Sequence, residues 1–201
     1  MESKSVIRCS SAQRGFTIVE MLTVVALLIV LLGLVVPAST SMMLSMSLTR
    51  AGQEIGDQIA LARRLATTQK KHMEVRFVKG ETNVNGYTAV QLWESDANGS
   101  NMKPCGNLIT IPSAVKVSEA LSPLLANAEA SAKGTAEFRP LGNKSYVAIR
   151  IRPNGRLVSS QSLGDSYILL CRRKGNDEEK PTNYYAIQIS PLTGRVTAIR
   201  P

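Results

Sequence analysis

Histidine and aromatic side chains are scarce in this 201-residue chain, which has one histidine, His72, and only 4% phenylalanine, tryptophan and tyrosine combined. A single histidine, standing where a helical pattern gives way to a strand pattern, is a poor basis for acid–base catalysis. Few aromatics leave few platforms for stacking on single-stranded bases. There is no P-loop, no Gly-x-Gly-x-x-Gly cradle, no His-Glu-x-x-His and no Gly-x-Ser-x-Gly elbow, so no catalytic residue is identified and no cofactor is implied. The stretch Asp96-Ala97-Asn98-Gly99-Ser100 begins like a calcium loop. Asn101 then stands where glycine is wanted and Asn107 where a bidentate glutamate is wanted, which leaves a solvated turn. The three cysteines, Cys9, Cys105 and Cys171, show no C-x-x-C spacing and no histidine close in sequence, so no metal site is expected.

Acidic residues are the minority charge: 24 Lys and Arg against 15 Asp and Glu give a formal net charge of +9. The excess is scattered from Arg8 to Arg200 with no single basic tract. Scattered charge makes a solvated surface, and its summed field permits weak attraction to phosphates or anionic lipid head groups. The length allows one globular core with an appended segment. No sustained internal repeat or long polar tail interrupts it.

Apolar residues, 44% of the chain, are concentrated near its start. From Phe16 to Val36 the sequence reads FTIVEMLTVVALLIVLLGLVV, broken by Glu20, two threonines and Gly33. At about 1.5 Å per residue this run matches the roughly 30 Å of a bilayer core. Lys4, Arg8 and Arg14 precede it, and the positive-inside tendency then keeps the N-terminus cytoplasmic. A secretory signal cut after Ala38 fits poorly, because an ordinary signal core is shorter and carries no carboxylate. A lipoprotein signal fails because Cys9 precedes the run. A plain single-pass anchor leaves Glu20 as an unexplained cost.

The residues Arg14-Gly15-Phe16-Thr17-Ile18-Val19-Glu20 resemble the processing motif of the type IV prepilins: Gly, an apolar residue, Ser or Thr, and Glu fifth after the cut. The resemblance implies that a prepilin peptidase cleaves between Gly15 and Phe16, that Phe16 becomes N-methylated, and that Glu20 acts in assembly. Physical chemistry supports each part. Gly15 offers no side chain to obstruct a peptidase and favours a break ahead of the helix. Glu20 lies one helical turn beyond the new ammonium of Phe16, about 6 Å along the axis. Pro37 closes the run at a place where the family often has a helix-bending proline, and a kink or local melting is expected near residues 33–37.

Beyond Pro37, Leu44, Leu48, Ala51, Ile55, Ile59, Ala62 and Ala66 recur at spacings of three and four, extending an amphipathic helix to about Thr68. From His72 the period shortens to two. Met73, Val75 and Phe77 alternate with Glu74 and Arg76, and further strand-like runs follow at 87–93, 107–111, 114–117, 135–138, 146–152, 167–171, 184–189 and 195–199. Turn residues separate them, which favours antiparallel pairing. Ser122-Pro123 reads as the start of a short helix over 124–131. The polar stretch 174–181 reads as an exposed loop.

The segments Ala-Arg-Arg-Leu-Ala-Thr near the helix end, Ile-Arg-Pro-Asn-Gly-Arg at 151–156 and Ile-Ser-Pro-Leu-Thr-Gly-Arg-Val at 189–196 are similar to the H-type minor pseudopilins. They are closer still to the Verru_Chthon cassette D pilin-like proteins. The resemblance implies an α+β fold: residues 1–15 a cleaved leader, 16–37 a transmembrane and assembly helix, 38–70 its amphipathic continuation, and 71–201 a β-rich domain. It places the chain in a bacterial inner membrane as a single-pass protein with its domain outside the cytoplasm, before incorporation into a filament. The implied partners are the prepilin peptidase, other pilin subunits and inner-membrane lipid.

Once the leader and Cys9 are removed, Cys105 and Cys171 remain as a pair suited to a disulfide in an oxidising compartment, or as two separate buried thiols. A second implication is nucleic-acid binding, since related uptake pilins carry a Gly-Arg-x-Arg-like motif near the C-terminus. Gly194-Arg195-Val196-Thr197 departs from it at the second arginine, with Arg200 following, so Arg195 and Arg200 are the candidate weak DNA contacts.

Overall fold

A computed structural model describes residues 15–80, 86–95, 102–158, 162, 164–173 and 181–200; the side chains of residues 34–41 lie outside that description. The chain divides into two compact units, 1–42 and 43–201. One helix, α1 (Ile18–Gln69), is assigned without a break through Gly33 and Pro37, so the local melting expected there does not occur. A proline removes a single backbone donor, and the helix assignment continues across it.

In the first unit the described part of α1 is apolar on every side and exposed on every side: Ile18, Leu22 and Leu32 are 84%, 66% and 63% exposed. A helix apolar all round has no polar face to give to water. Among the described residues no helix is long and apolar enough to cross a membrane. The described side chains of the apolar run end at Gly33, and Pro37 falls beyond them.

In the second unit α1 behaves differently. Leu48, Ala51, Ile55, Ile59, Ala62 and Ala66 are buried, while Arg50, Gln53, Asp57, Arg63 and Arg64 face outward. The helix ends where Lys70 adopts a left-handed conformation (φ 56°), a turn usually given to glycine or asparagine.

Among the described residues ten strands form one antiparallel sheet: β1 (His72–Lys79), β2 (Tyr87–Ser95), β3 (Met102–Pro104), β4 (Ile109–Thr110), β5 (Val115–Val117), β6 (Lys133–Phe138), β7 (Gly142–Ile151), β8 (Tyr167–Arg172), β9 (Tyr184–Ile189) and β10 (Val196–Ile199). Their order is β10-β9-β8-β5-β2-β1-β7-β6, with β3 and β4 also paired to β2. One face carries Met73, Val75, Phe77, Tyr87, Val90, Leu92, Ile149, Ile168, Leu170 and Ile187 against the buried stripe of α1. Fully burying one such side chain contributes about 1.5–3 kcal/mol.

The alternation expected in β1 holds in direction and fails in exposure. Glu74 and Arg76 do point away from the helix, yet both are buried. The reason is a second, smaller layer on that face. Val78, Ala89, Trp93 and Phe138 cluster there, and Phe138 meets the Trp93 and Tyr146 rings edge-on at 5.7 and 6.0 Å. Glu74 accepts from Arg76 Nε at 2.9 Å and from Arg150 Nε at 2.7 Å. The Arg76 guanidinium lies over the Trp93 and Tyr146 rings, 4.1 and 4.2 Å from their centroids. Charges removed from water persist only when paired and hydrogen-bonded, and here both conditions are met.

The helix expected over 124–131 is also shorter than its sequence pattern. It forms only α2 (Pro123–Ala126), followed by a 3-10 turn at Ala130–Ala132. The Ser122 hydroxyl accepts a hydrogen bond from the Leu169 N–H of β8 at 2.9 Å and makes no cap. An uncapped single turn has little to propagate it.

Candidate functional site

Gly15, Phe16 and Thr17 stand just ahead of α1, and nothing lies within 4 Å of the place a Cβ would occupy on Gly15. Among the described residues, nothing crowds the bond after Gly15. Thr17 starts the helix: its Oγ1 accepts the Glu20 N–H at 3.2 Å and its carbonyl accepts the Met21 N–H at 3.2 Å. Thr17-Ile18-Val19-Glu20 thus has the spacing of a capping box, a signal present in the sequence that the motif reading passed over. Glu20 sits in the first turn, where the helix dipole favours negative charge. It makes no ion pair among the described residues. Thr23, the other polar side chain of the run, donates its hydroxyl to the Glu20 carbonyl at 2.8 Å and so needs no outside partner.

The two cysteines are not joined to each other. Cys105 is exposed and its N–H donates to the Leu92 carbonyl beside β2, whereas Cys171 is buried on β8 opposite Lys116 of β5. The disulfide expected between Cys105 and Cys171 is not formed here, and of the alternative pair of buried thiols only Cys171 is buried; an even count after removal of Cys9 says nothing about where the fold puts the two residues. Desolvation, reinforced by the Glu94 carboxylate and opposed by Lys71, pushes the Cys105 thiol up from its ordinary value. His72 is half-buried at the start of β1, opposite Ser95. No group of metal-binding side chains occurs among the described residues, and Asp96–Asn101 lies outside them.

Arg195 and Arg200 flank β10, and both are exposed. Five residue steps of extended chain set their backbones about 16 Å apart. The Arg200 guanidinium donates to Ser45 Oγ and Thr49 Oγ1 of α1, tying the last strand to the helix. Arg195 belongs to another neighbourhood. It follows Gly194 (φ 63°), whose turn is closed by Gly194 N–H to the Ser190 carbonyl at 2.7 Å. A matching turn places Gly155 (φ 79°) before Arg156, closed by Gly155 N–H to the Arg152 carbonyl at 2.8 Å. Leu157 N–H donates to the Pro191 carbonyl at 3.0 Å and links the two turns.

Both glycines press on the same helical side chain. A Cβ on Gly155 would lie 3.5 Å from Arg63 Nε, and one on Gly194 would lie 3.0 Å from Arg63 Cδ. Only a residue without a side chain fits so close at positive φ. Sequence reading separated Arg63, Arg156 and Arg195 by long stretches of chain, although the repeated Gly-Arg pair in two turns was visible.

No family model and no curated protein matches this chain. Among solved structures it is similar to the minor pseudopilin EpsH from the type 2 secretion system of Vibrio cholerae (TM-score 0.45, 10% identity, 77% of this chain and 98% of that one). It is also similar to the type IV minor pilin FimU of Pseudomonas aeruginosa in two crystal forms. One gives a TM-score of 0.44 at 16% identity over 77% of this chain and 97% of that one. The other gives 0.43 at 14% identity over 77% and 92%.

Proposed function

We propose that this chain is a structural minor pilin or pseudopilin: cut between Gly15 and Phe16, held in a membrane by the apolar run 16–37, and assembled through that run into a filament. The observation that carries the reading is the unsatisfied first half of α1, an all-round apolar helix with a capped, charged first turn placed directly after an open glycine. Such a surface needs an apolar surrounding that the described residues of its own chain do not supply. Lipid supplies it before assembly and neighbouring helices supply it afterwards.

In this reading Glu20 has a defined task. Near the cytoplasmic interface it reaches water or the Phe16 ammonium created by the cut. In a filament core that access is gone, and the ammonium of an adjacent subunit becomes the compensating charge. Prepilin peptidase and other pilin subunits are the partners that follow.

N-terminal mass analysis of the protein isolated from its host membranes tests the reading. A start at Phe16 is expected, and Gly15→Arg should leave uncut precursor in the membrane. A start at Ser39, or an intact Met1, would overturn it.

A further inference from the structure

Ser45, Thr49, Gly52 and Gly56 follow one another on α1 at spacings of four, three and four, which puts them on one helical face. The last two strands of the sheet lie against that face. A Cβ on Gly52 would meet the Tyr185 ring of β9, and one on Gly56 would lie 3.8 Å from Val196 Cγ1 at the start of β10. At the other end of β10 the Arg200 guanidinium donates from one nitrogen to Thr49 Oγ1 and from another to Ser45 Oγ. The lengths agree. Four residue steps of strand from Val196 to Arg200 cover about 13 Å, and nine helical steps from Gly56 back to the midpoint of Ser45 and Thr49 cover about 13.5 Å. β10 therefore runs lengthwise along the helix and meets it at both ends.

The two ends are held differently. β10 is an edge strand, paired to β9 alone. Val196 is half-buried and packs against the main apolar cluster, whereas Thr197, Ala198 and Ile199 are exposed. The helix opposite changes in the same sense: Leu48 is its first buried residue in the second unit, and Met43 and Met46 before it are 68% and 57% exposed. Apolar burial secures the Val196 end, and the Arg200 end rests on hydrogen bonds. Thr49 Oγ1 donates its own proton to the Ser45 carbonyl at 3.0 Å, which leaves its lone pairs to accept from the guanidinium. Segments with few buried apolar contacts are the ones that open locally.

We propose that β10 is a strap over α1 and Arg200 the clasp that closes it, so that the end of the strand and helical residues 43–49 open and close together. Arg200 is a positioning residue. Its planar fork bridges two hydroxyls one helical turn apart, a geometry that a single ammonium does not reproduce. Opening the clasp frees the first turn of α1 in the second unit from the sheet and uncovers the hydroxyl end of the helical face. The strap lies wholly within the second unit, so it stands or falls apart from the assembly reading.

Hydrogen–deuterium exchange of the full chain in neutral detergent tests it, read on peptides covering residues 43–50 and 196–201 and corrected for intrinsic rates. Arg200→Gln should speed exchange in both peptides by about tenfold, the loss of two hydrogen bonds of modest net strength, and Arg200→Lys by less. Ser45→Ala/Thr49→Val removes both acceptors and should reproduce that pattern from the helix side, and adding Arg200→Gln to it should change nothing further. Thermal melting followed by Trp93 fluorescence establishes that each variant folds, and either side of the pair supplies the test where the other does not. Faster exchange of the strand peptide alone in Arg200→Gln would overturn the proposal, because the strand would then open without the helix. So would unchanged exchange in both peptides, or additive effects of the strand and helix substitutions, which would mean that Arg200 acts elsewhere.

Discussion

The two halves of α1 are made from similar apolar residues and meet opposite fates. Between residues 18 and 33 the apolar side chains surround the helix and stay exposed; between 48 and 66 they form a stripe and are buried under the sheet. The same comparison can be made with two carboxylates. Glu74 lies in the domain interior with Arg76 and Arg150 as partners, while Glu20 has none among the described residues. The second half is satisfied within its own chain, and the first half stays exposed among the described residues.

Removing Glu74 should sharpen this contrast most. Glu74→Ala leaves Arg76 buried without its partner and is expected to cost the domain about 3–5 kcal/mol in denaturant unfolding. Glu20→Ala should cost it nothing measurable. The chain's single tryptophan, Trp93, reports on the domain in both experiments.

The apolar residues provide the next comparison. Ile59→Ala opens a cavity under the sheet and is expected to lower stability by about 2–5 kcal/mol, whereas Leu28→Ala should leave the same transition unmoved. Equal effects would mean that the first half is also packed within the chain.

Glycines make a finer test. On Gly52 a Cβ would crowd the Tyr185 ring to 2.3 Å, so Gly52→Ala should destabilise by about 1–3 kcal/mol. Gly33→Ala, with open space around it, should be neutral or slightly stabilising to the helix.

The smallest effect concerns pH. Burial, then the nearby Glu119 charge, holds the Tyr87 phenol well above its ordinary range. A raised folded value means stability is present in full below the unfolded pKa, about 10, and declines as pH rises above it. The Tyr87→Phe variant should lose less stability than wild type over that alkaline range, measured by thermal melting against pH.

Much of the fold was legible because periodicity reports burial directly. The stripe from Leu48 to Ala66 and the alternation from Met73 to Phe77 both face the core as their spacing implies. What remained hidden depended on contacts distant in sequence. Glu74 and Arg76 read as outward residues, and only the Trp93–Phe138–Tyr146 layer makes that outward face an interior one. The Cys105 and Cys171 pairing rested on counting, which carries no geometry. Arg195 and Arg200 are close in sequence, yet an extended strand parts them, and only Arg200 is shown bonded to α1, through Ser45 and Thr49.

The claim that the first half of α1 is an assembly element rests most directly on Glu20. In the native host, Glu20→Leu should match wild type in membrane content and in the start at Phe16, while its amount in the sheared filament fraction falls about tenfold, a difference of about 1.4 kcal/mol. Incorporation of Glu20→Leu at the wild-type level would contradict the claim.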